Sequence, residues 1–331
     1  MKSLITIEDF ILEQQRISPE ITGNLVGLLY DISVISKVIA GEIVQTPYIE
    51  LMKGITGLAS INPRLLVNLK ELATITFNRV LSTGRIACLV TRETGLIQVP
   101  SNMPPGKYVL IIDLIIDVLD NHNSFIVGMI FSIYQRKSET NPAGLDDVLQ
   151  PASDLIAAGY VIFGIETIMV YSSGSSVNML LLNPNVGEFL LCEPEILLPN
   201  QPKYYSINIR EKNSWVKGID SYVSYLGHED DRHQFTGLIN RFTGSLLCDF
   251  HRNLLDGGVS IYPESINNPI NLIFNAAPLA WISERAGGQA TNGMLNISEI
   301  IPSSLNNTTQ LIIGEKSLVK EAKGYLSQVQ F

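Results

Sequence analysis

Between Thr22 and Val44 the apolar residues Leu25, Leu28, Leu29, Ile32, Ile35, Val38 and Ile39 recur at three- and four-residue intervals. That spacing predicts an amphipathic helix of about six turns with Thr22 as its cap. Residues 45–63 hold Pro47, Gly54, Gly57 and Pro63 and predict a mobile loop, followed by a second helix over 65–81. The pattern then changes to short apolar runs bounded by Gly, Pro, Asn or Ser, predicting strands over 86–90, 108–113, 125–134, 157–163, 167–172, 177–182 and 187–191. Residues 144–151 offer a hinge. Beyond them a strand over 203–208, a helix over 238–255, a strand over 257–263 and a helix over 278–288 are expected. A mixed sheet layered with helices is the architecture that buries such elements, in two α/β halves, 1–200 and 201–331.

Composition narrows the function. The 331 residues are 46% apolar and 17% charged, which excludes a disordered or fibrous chain. Lys and Arg total 23 against 32 acids, a net charge of -9, so neither nucleic acid nor an anionic membrane is an expected partner. No apolar run is long enough for a bilayer span or an N-terminal leader. Cys88, Cys192 and Cys248 are odd in number and lie in apolar contexts, reading as reduced core thiols of a cytoplasmic protein.

Two segments carry candidate chemistry. In 244–263, Asp249, His251 and Arg252 fall on an apolar helix before a Gly-Gly turn. Burying such groups is costly unless they pair, so an internal ion pair tying the helix to the sheet is the plain reading. In 113–122, Asp113, Asp117, Asp120 and His122 follow a strand. Carboxylates leaving a strand end can hold a hard divalent cation. The apolar residues between them favour solvent-facing acids of a helix or turn instead. No spacing of Cys and His suggests zinc, and neither a phosphate-cradling glycine loop nor a nucleophile elbow is present.

TGNLVGLL (22–29), GKYVLIID (106–113), GMIFSIYQRK (128–137), LQPASDLIAAGYVIFG (149–164), YYSIN (204–208), RFTGSLLCDFHRNLLDGGVSIYP (241–263) and PLAWISERAGGQAT (278–291) together resemble class I fructose-1,6-bisphosphatase. The resemblance runs from about Ile7 to the C-terminus. It implies a layered α/β/α/β/α sandwich of the sugar phosphatase type, a homo-oligomer (dimer or tetramer), and hydrolysis of a sugar 1-phosphate assisted by magnesium-class ions. Of six metal-binding carboxylates implied by the resemblance, Glu93 and Asp113 remain. Arg92, Leu69, Ile116 and Asn275 stand at other ligand positions, and Leu114, Ile115 and Asp117 alter the rest of the aspartate motif. A guanidinium near 4 Å from such a divalent ion is repulsive by about 8 kcal/mol at an effective dielectric of 20.

At the other end of the implied substrate, Asn208, Arg241 and Tyr262 match phosphate-binding positions, whereas Phe242 and Asn271 replace binding residues. Thr22, Gly23, Lys107 and Tyr108 match a nucleotide-binding regulatory site. The departures lead to the expectation of a protein of this family without metal or phosphatase activity, acting as a binding or regulatory subunit, alone or with an active paralogue. The alternatives are an enzyme repurposed around an apolar pocket at Leu69, Leu114, Ile115 and Ile116, and a residual fructose-1,6-bisphosphate 1-phosphatase. The ligand expected is a small molecule or sugar phosphate.

Overall fold

The computed structural model describes residues 4–327, apart from 18–21, 56–57, 101–103, 121–123, 139–141, 175, 229–236 and 266–268. The chain forms two compact units, one of residues 1–148, 159–174 and 178–194, the other of 149–158, 175–177 and 195–331.

The first unit opens with α1 (Ile7–Ile17), α2 (Gly23–Met52) and α3 (Leu58–Val80). Its sheet is built from β1 (Ile86–Thr91), β2 (Gly95–Gln98), β3 (Tyr108–Asp120) and β4 (Ser124–Gln135). The short α4 (Leu145–Val148) comes next, then β5 (Leu155–Phe163), β6 (Ile168–Ser172), β7 (Asn178–Asn183) and β8 (Glu188–Glu193). The eight strands lie in the order β2-β1-β3-β4-β5-β6-β7-β8. β1 runs parallel to β3, and the hairpins β3–β4, β6–β7 and β7–β8 are antiparallel. β1 is buried along its whole length, as a central strand covered on both faces must be.

The second unit holds β9 (Tyr204–Ser206), α5 (Ile219–Gly227), β10 (Ile239–Asn240), α6 (Leu246–Asp256), β11 (Gly258–Tyr262), β12 (Ile270–Asn271), α7 (Ala277–Arg285), β13 (Gln289–Thr291), β14 (Thr308–Thr309), β15 (Leu311–Gly314) and α8 (Lys316–Ser327). Its main sheet has the order β10-β9-β11-β15-β13. Tyr205, Val259, Ile261 and Ile312 from the sheet pack with Ile219, Tyr222 and Leu226 of α5 and Leu318, Val319 and Ala322 of α8. The buried Tyr222 hydroxyl donates to the Leu318 carbonyl at 2.8 Å, so the helix pair leaves that polar group satisfied.

Three expectations from the sequence need correction. Residues 45–63 are mostly helical: α2 continues through Pro47 to Met52, and α3 begins at Leu58. Glu50, 4% exposed, accepts from Lys53 at 2.9 Å and from Arg64 at 3.0 Å, and Glu42 accepts from Thr46 and Asn68. The contacts of Glu50 with Arg64 and of Glu42 with Asn68 tie α2 to α3, and with the two local ones they offset the one hydrogen bond that a helical proline loses. The helix expected over 238–255 starts only at Leu246, because Ile239 and Asn240 pair with Tyr204 and Tyr205, and Ser245 caps α6 by accepting from the Cys248 N–H. Cys192 is exposed, whereas Cys88 lies in the core with its thiol pushed up to about 12 by burial.

β15 leaves no room for a side chain at its last residue. Gly314 has φ +147°, and a Cβ there would stand 2.1 Å from the Gly258 carbonyl oxygen, opposite Val259 in the β11–β15 ladder. Gly314→Ala therefore should destabilise the protein by about 3 kcal/mol or more, through backbone strain and a broken ladder. Thermal unfolding reads this directly, and an unchanged melting temperature would contradict the assigned geometry.

Candidate functional site

In the second unit the residues expected to hold phosphate come together at one sheet edge. β9, β10 and β11 are mutually parallel, so Asn208 just past β9, Arg241 just past β10 and Tyr262 at the end of β11 meet at their carboxyl ends. The Arg241 N–H donates to the Tyr205 carbonyl at 2.9 Å, and the Arg241 guanidinium lies over the Tyr204 ring, 5.3 Å from its centre. Asn208 caps a 3-10 turn over Ile209–Ser214, accepting from the Arg210 N–H at 3.2 Å and donating to Glu211 at 2.9 Å.

α6 fixes this edge. The Asp249 side chain is fully buried and accepts from Arg252 at 2.9 Å and from the Thr243 N–H at 3.1 Å. Burial pushes the Asp249 carboxyl up, and Arg252 and Thr243 pull it back. Arg252 also donates to the Arg241 carbonyl at 2.7 Å and to Ser206 at 2.5 Å. The internal ion pair expected from the sequence is therefore present, and it anchors the turn that presents Arg241.

Beyond the end of β11 a cavity of about 1010 Å³ opens, lined in part by Lys217, Glu264, Asn292, Met294, Gln310 and Lys323; Asn208, Arg241 and Tyr262 are not in its lining. Topology explains the grouping: Glu264 follows β11, Gln310 precedes β15, and Leu311 pairs with Tyr262. Lys217 and Lys323 were not among the residues singled out from the sequence. They come from distant segments and carry no local motif. Phe242 is 38% exposed beside Arg241. Asn271 and Asn275 are buried in a structural role: Asn271 accepts from the Ile273 and Phe274 N–H groups at 2.9 and 3.0 Å, and Asn275 accepts from the Asn271 N–H.

In the first unit the segment after Asp113 is neither helix nor turn. β3 runs on to Asp120 and pairs with β4 from Tyr108↔Gln135 to Val118↔Phe125. Leu114-Ile115-Ile116 contains no glycine to end a strand, and β-branched residues favour its extension. The two-residue period puts Asp113, Ile115 and Asp117 on one face and Leu114 and Ile116 on the other. Four residues of strand separate Asp113 from Asp117 by about 13 Å, too far to share one ion. His122 and the Asp120 side chain lie outside what is described.

Asp113 is 4% exposed, and its carboxylate accepts from Arg92 Nε at 2.8 Å. Burial pushes the Asp113 carboxyl up, while the adjacent Arg92 guanidinium works in the opposite direction. Glu93 is exposed and lies 3.6 Å from Lys70, and Leu69 is fully buried in the core. The space beside Asp113 is about 20 Å³, room for little more than one water, and its lining includes Lys70, Arg92 and Glu93. Among the described residues Leu69, Leu114, Ile115 and Ile116 do not gather into an apolar pocket, which corrects that expectation: Leu69 packs inward, and the other three are half-buried along a strand. Among the described residues no group of three His, Cys, Asp or Glu could hold a metal ion. With Arg92 on Asp113, this arrangement does not fit a magnesium cage, which needs several oxygens in octahedral array.

At the start of α2, the Thr22 hydroxyl accepts from the Leu25 N–H at 3.3 Å and shares a 2.6 Å hydrogen bond with the Tyr108 hydroxyl. Gly23 follows in the first helical position and Lys107 is exposed. Thr22 thus caps α2 and also ties the start of the helix to β3.

Two family models cover nearly the whole chain: fructose-1-6-bisphosphatase, N-terminal domain, over residues 5–194, and fructose-1-6-bisphosphatase, C-terminal domain, over residues 198–327. The chain belongs to the fructose-1,6-bisphosphatase family. A relative from Chlorobium phaeobacteroides is 38% identical over 330 residues, 98% of either chain, and one from Chlorobium phaeovibrioides is 38% identical over 335 residues, also 98% of either chain. Both are named fructose-1,6-bisphosphatase class 1. The apo crystal structure of Leishmania major fructose-1,6-bisphosphatase superposes with a TM-score of 0.82 at 26% identity, covering 98% of this chain and 100% of that one. The layered α/β sugar phosphatase fold is thereby established. These findings overturn the expectation of a subunit without phosphatase activity, because the full-length relatives carry an enzyme's name. The expectation of no metal is corrected on the same ground, since the family resemblance implies magnesium-class ions. No described helix is long and apolar enough to cross a membrane.

Two measurements test the electrostatics of these sites. Burial pushes the His251 imidazole down to about 4. The unfolded chain therefore binds a proton that the folded chain refuses between about pH 6.5 and 4, so stability is lost as pH falls through that window, by about 3 kcal/mol. His251→Gln should flatten this part of the stability profile; a profile as steep as the parent's would contradict the assignment. Arg92→Ala removes the cation beside a buried carboxyl. Because Arg92 is half exposed, a loss of about 1–2 kcal/mol in thermal or urea unfolding is expected.

Proposed function

We propose that this chain hydrolyses a phosphate ester of a sugar bisphosphate, fructose 1,6-bisphosphate being the substrate that its relatives' names indicate. The observation that carries this reading is 38% identity over 98% of the chain to proteins named for that reaction, across both family domains. In the reaction a water oxygen bonds to phosphorus, the bond from phosphorus to the sugar oxygen breaks, the sugar oxygen takes up a proton, and inorganic phosphate leaves. In the family, magnesium-class ions supply activation of the water. The departure from their binding pattern at Arg92 and Asp113 distinguishes this chain.

The residues at the strand edge of the second unit support recognition of the phosphate that is not removed. Arg241 presents a planar fork of N–H donors suited to phosphate oxygens. Its backbone is held by Tyr205 and Arg252, so its position is set before substrate arrives. Lys217 and Lys323 add positive charge along the neighbouring cavity. Binding energy gathered at the remote phosphate orients the reacting end. The protein acts in the cytoplasm on this reading, in keeping with cysteines that form no disulfide.

Purified protein given fructose 1,6-bisphosphate with magnesium or manganese should release inorganic phosphate above an empty-preparation control. Arg241→Ala should raise KM at least tenfold, about 1.4 kcal/mol of binding, without altering the circular dichroism spectrum. No phosphate release from the parent would overturn the reading, and an unchanged KM would remove Arg241 from it.

A further inference from the structure

The cavity beyond β11, about 1010 Å³, is walled entirely by residues of the second unit. Small-molecule sites run to about 1000 Å³, so a metabolite fits within it. The last turn of α8 forms one wall. A Cβ on Gly218 would stand 2.8 Å from the Tyr325 carbonyl oxygen, and one on Gly293 would stand 2.7 Å from Leu326 Cδ1. The absence of those two side chains lets both loops close on this turn, which brings Lys217 and Asn292 into one lining.

The chain carries a net charge of -9, yet this lining sets Lys217 and Lys323 against a single acid, Glu264. Lys37, Lys53, Lys70, Lys203 and Lys212 each pair with a carboxylate. The two cavity lysines do not. Lys217 has no ion pair among the described residues, and Lys323 Nζ donates to the neutral Asn296 amide oxygen at 2.7 Å. Two cations without counter-charges in a concave wall raise the local concentration of anions.

The neighbouring polar groups are fixed before anything binds. Asn292 Oδ1 accepts from the Met294 and Leu295 N–H groups at 3.0 and 2.8 Å, and the Gly293 N–H donates to Thr291 Oγ1 at 3.0 Å. Gln310 Nε2 donates to the Asn292 carbonyl at 2.9 Å. These bonds use the oxygen of Asn292 and the nitrogen of Gln310, and leave the Asn292 amide N–H groups and the Gln310 oxygen for a ligand. Glu264, unpaired among the described residues, adds an acceptor. Such a set suits hydroxyl groups, and the Glu264 charge disfavours a bare inorganic anion. A wall already ordered loses little freedom when a ligand arrives.

Asn208, Arg241 and Tyr262 are absent from this lining, so the cavity is separate from the phosphate edge. We propose that it binds a small hydroxylated organic anion, with a carboxylate or phosphate at Lys217 and Lys323 and hydroxyls at Glu264, Asn292 and Gln310. Calorimetric titration of the full chain carrying Arg241→Ala, which removes the arginine of the strand edge, tests this with glycerol 3-phosphate, glycerate, inorganic phosphate and glycerol. Glycerol 3-phosphate or glycerate should bind at least tenfold more tightly than inorganic phosphate or glycerol, and the tighter of the two separates a phosphate from a carboxylate ligand. Lys217→Gln with Lys323→Gln should weaken that binding at least tenfold, and Glu264→Gln should weaken it without weakening inorganic phosphate. Lys320→Gln, an exposed position of α8 outside the lining, controls for net charge and should leave binding unchanged. No binding of either organic anion, inorganic phosphate binding as tightly as they do, binding that survives the double Gln variant, or an equal loss from Lys320→Gln would each overturn the proposal.

Discussion

The buried pair of Asp249 and Arg252 organises the second unit. A carboxylate with no exposure is tolerated because a guanidinium and a backbone N–H meet it, and removing either partner of such a pair costs about 3–5 kcal/mol. The same guanidinium reaches Ser206 on β9 and the carbonyl of Arg241. One charged contact thus joins a helix, a strand and the turn that carries the exposed arginine. The pair serves the fold and the site together, so its residues need no contact with substrate to matter for binding.

The first unit shows a different balance. Its core of long apolar strands is independent of the few polar residues that distinguish one family member from another, and this is why the fold matches solved relatives at 26% identity. Around Asp113 the local arrangement has moved away from the family pattern. An arginine occupies the carboxylate, and an unbroken strand runs where glycine and small hydroxyl residues are implied by the resemblance. Backbone that lacks a glycine break stays in the ladder, and a ladder spaces its carboxylates too widely to share an ion. Family membership and local geometry therefore speak about different length scales. The first follows from hundreds of packed residues, the second from fewer than ten.

Much of this was legible in the sequence, and the misses have physical causes. Most strands of the first unit appeared close to their observed positions because Gly, Asn and Pro bound them and their side chains alternate or run apolar, whereas β2 and the second half of β3 were missed. The Asp249–Arg252 pair was legible because charges on an apolar helix must find each other. The continuation of α2 through Pro47 was hidden, since Glu42 and Glu50 are held by residues of α3 that local propensity does not see. The run from 238 to 255 looked like a single helix, but Ile239 and Asn240 are drawn into pairing with β9, a contact more than thirty residues away in the chain.

What the sequence by itself determined was the inventory: which segments are apolar enough to pack, where turns interrupt them, and which family pattern the residues follow. Those properties are local, because hydrophobic period and turn chemistry act over a few residues. The tertiary structure alone decided which charges meet. Arg92 reached Asp113, Lys217 and Lys323 came to line one cavity, and Arg241 was set at the carboxyl ends of three parallel strands. Each of these depends on strand order and on long-range closure of the chain, and no spacing along the sequence encodes a distance between residues that only folding brings together.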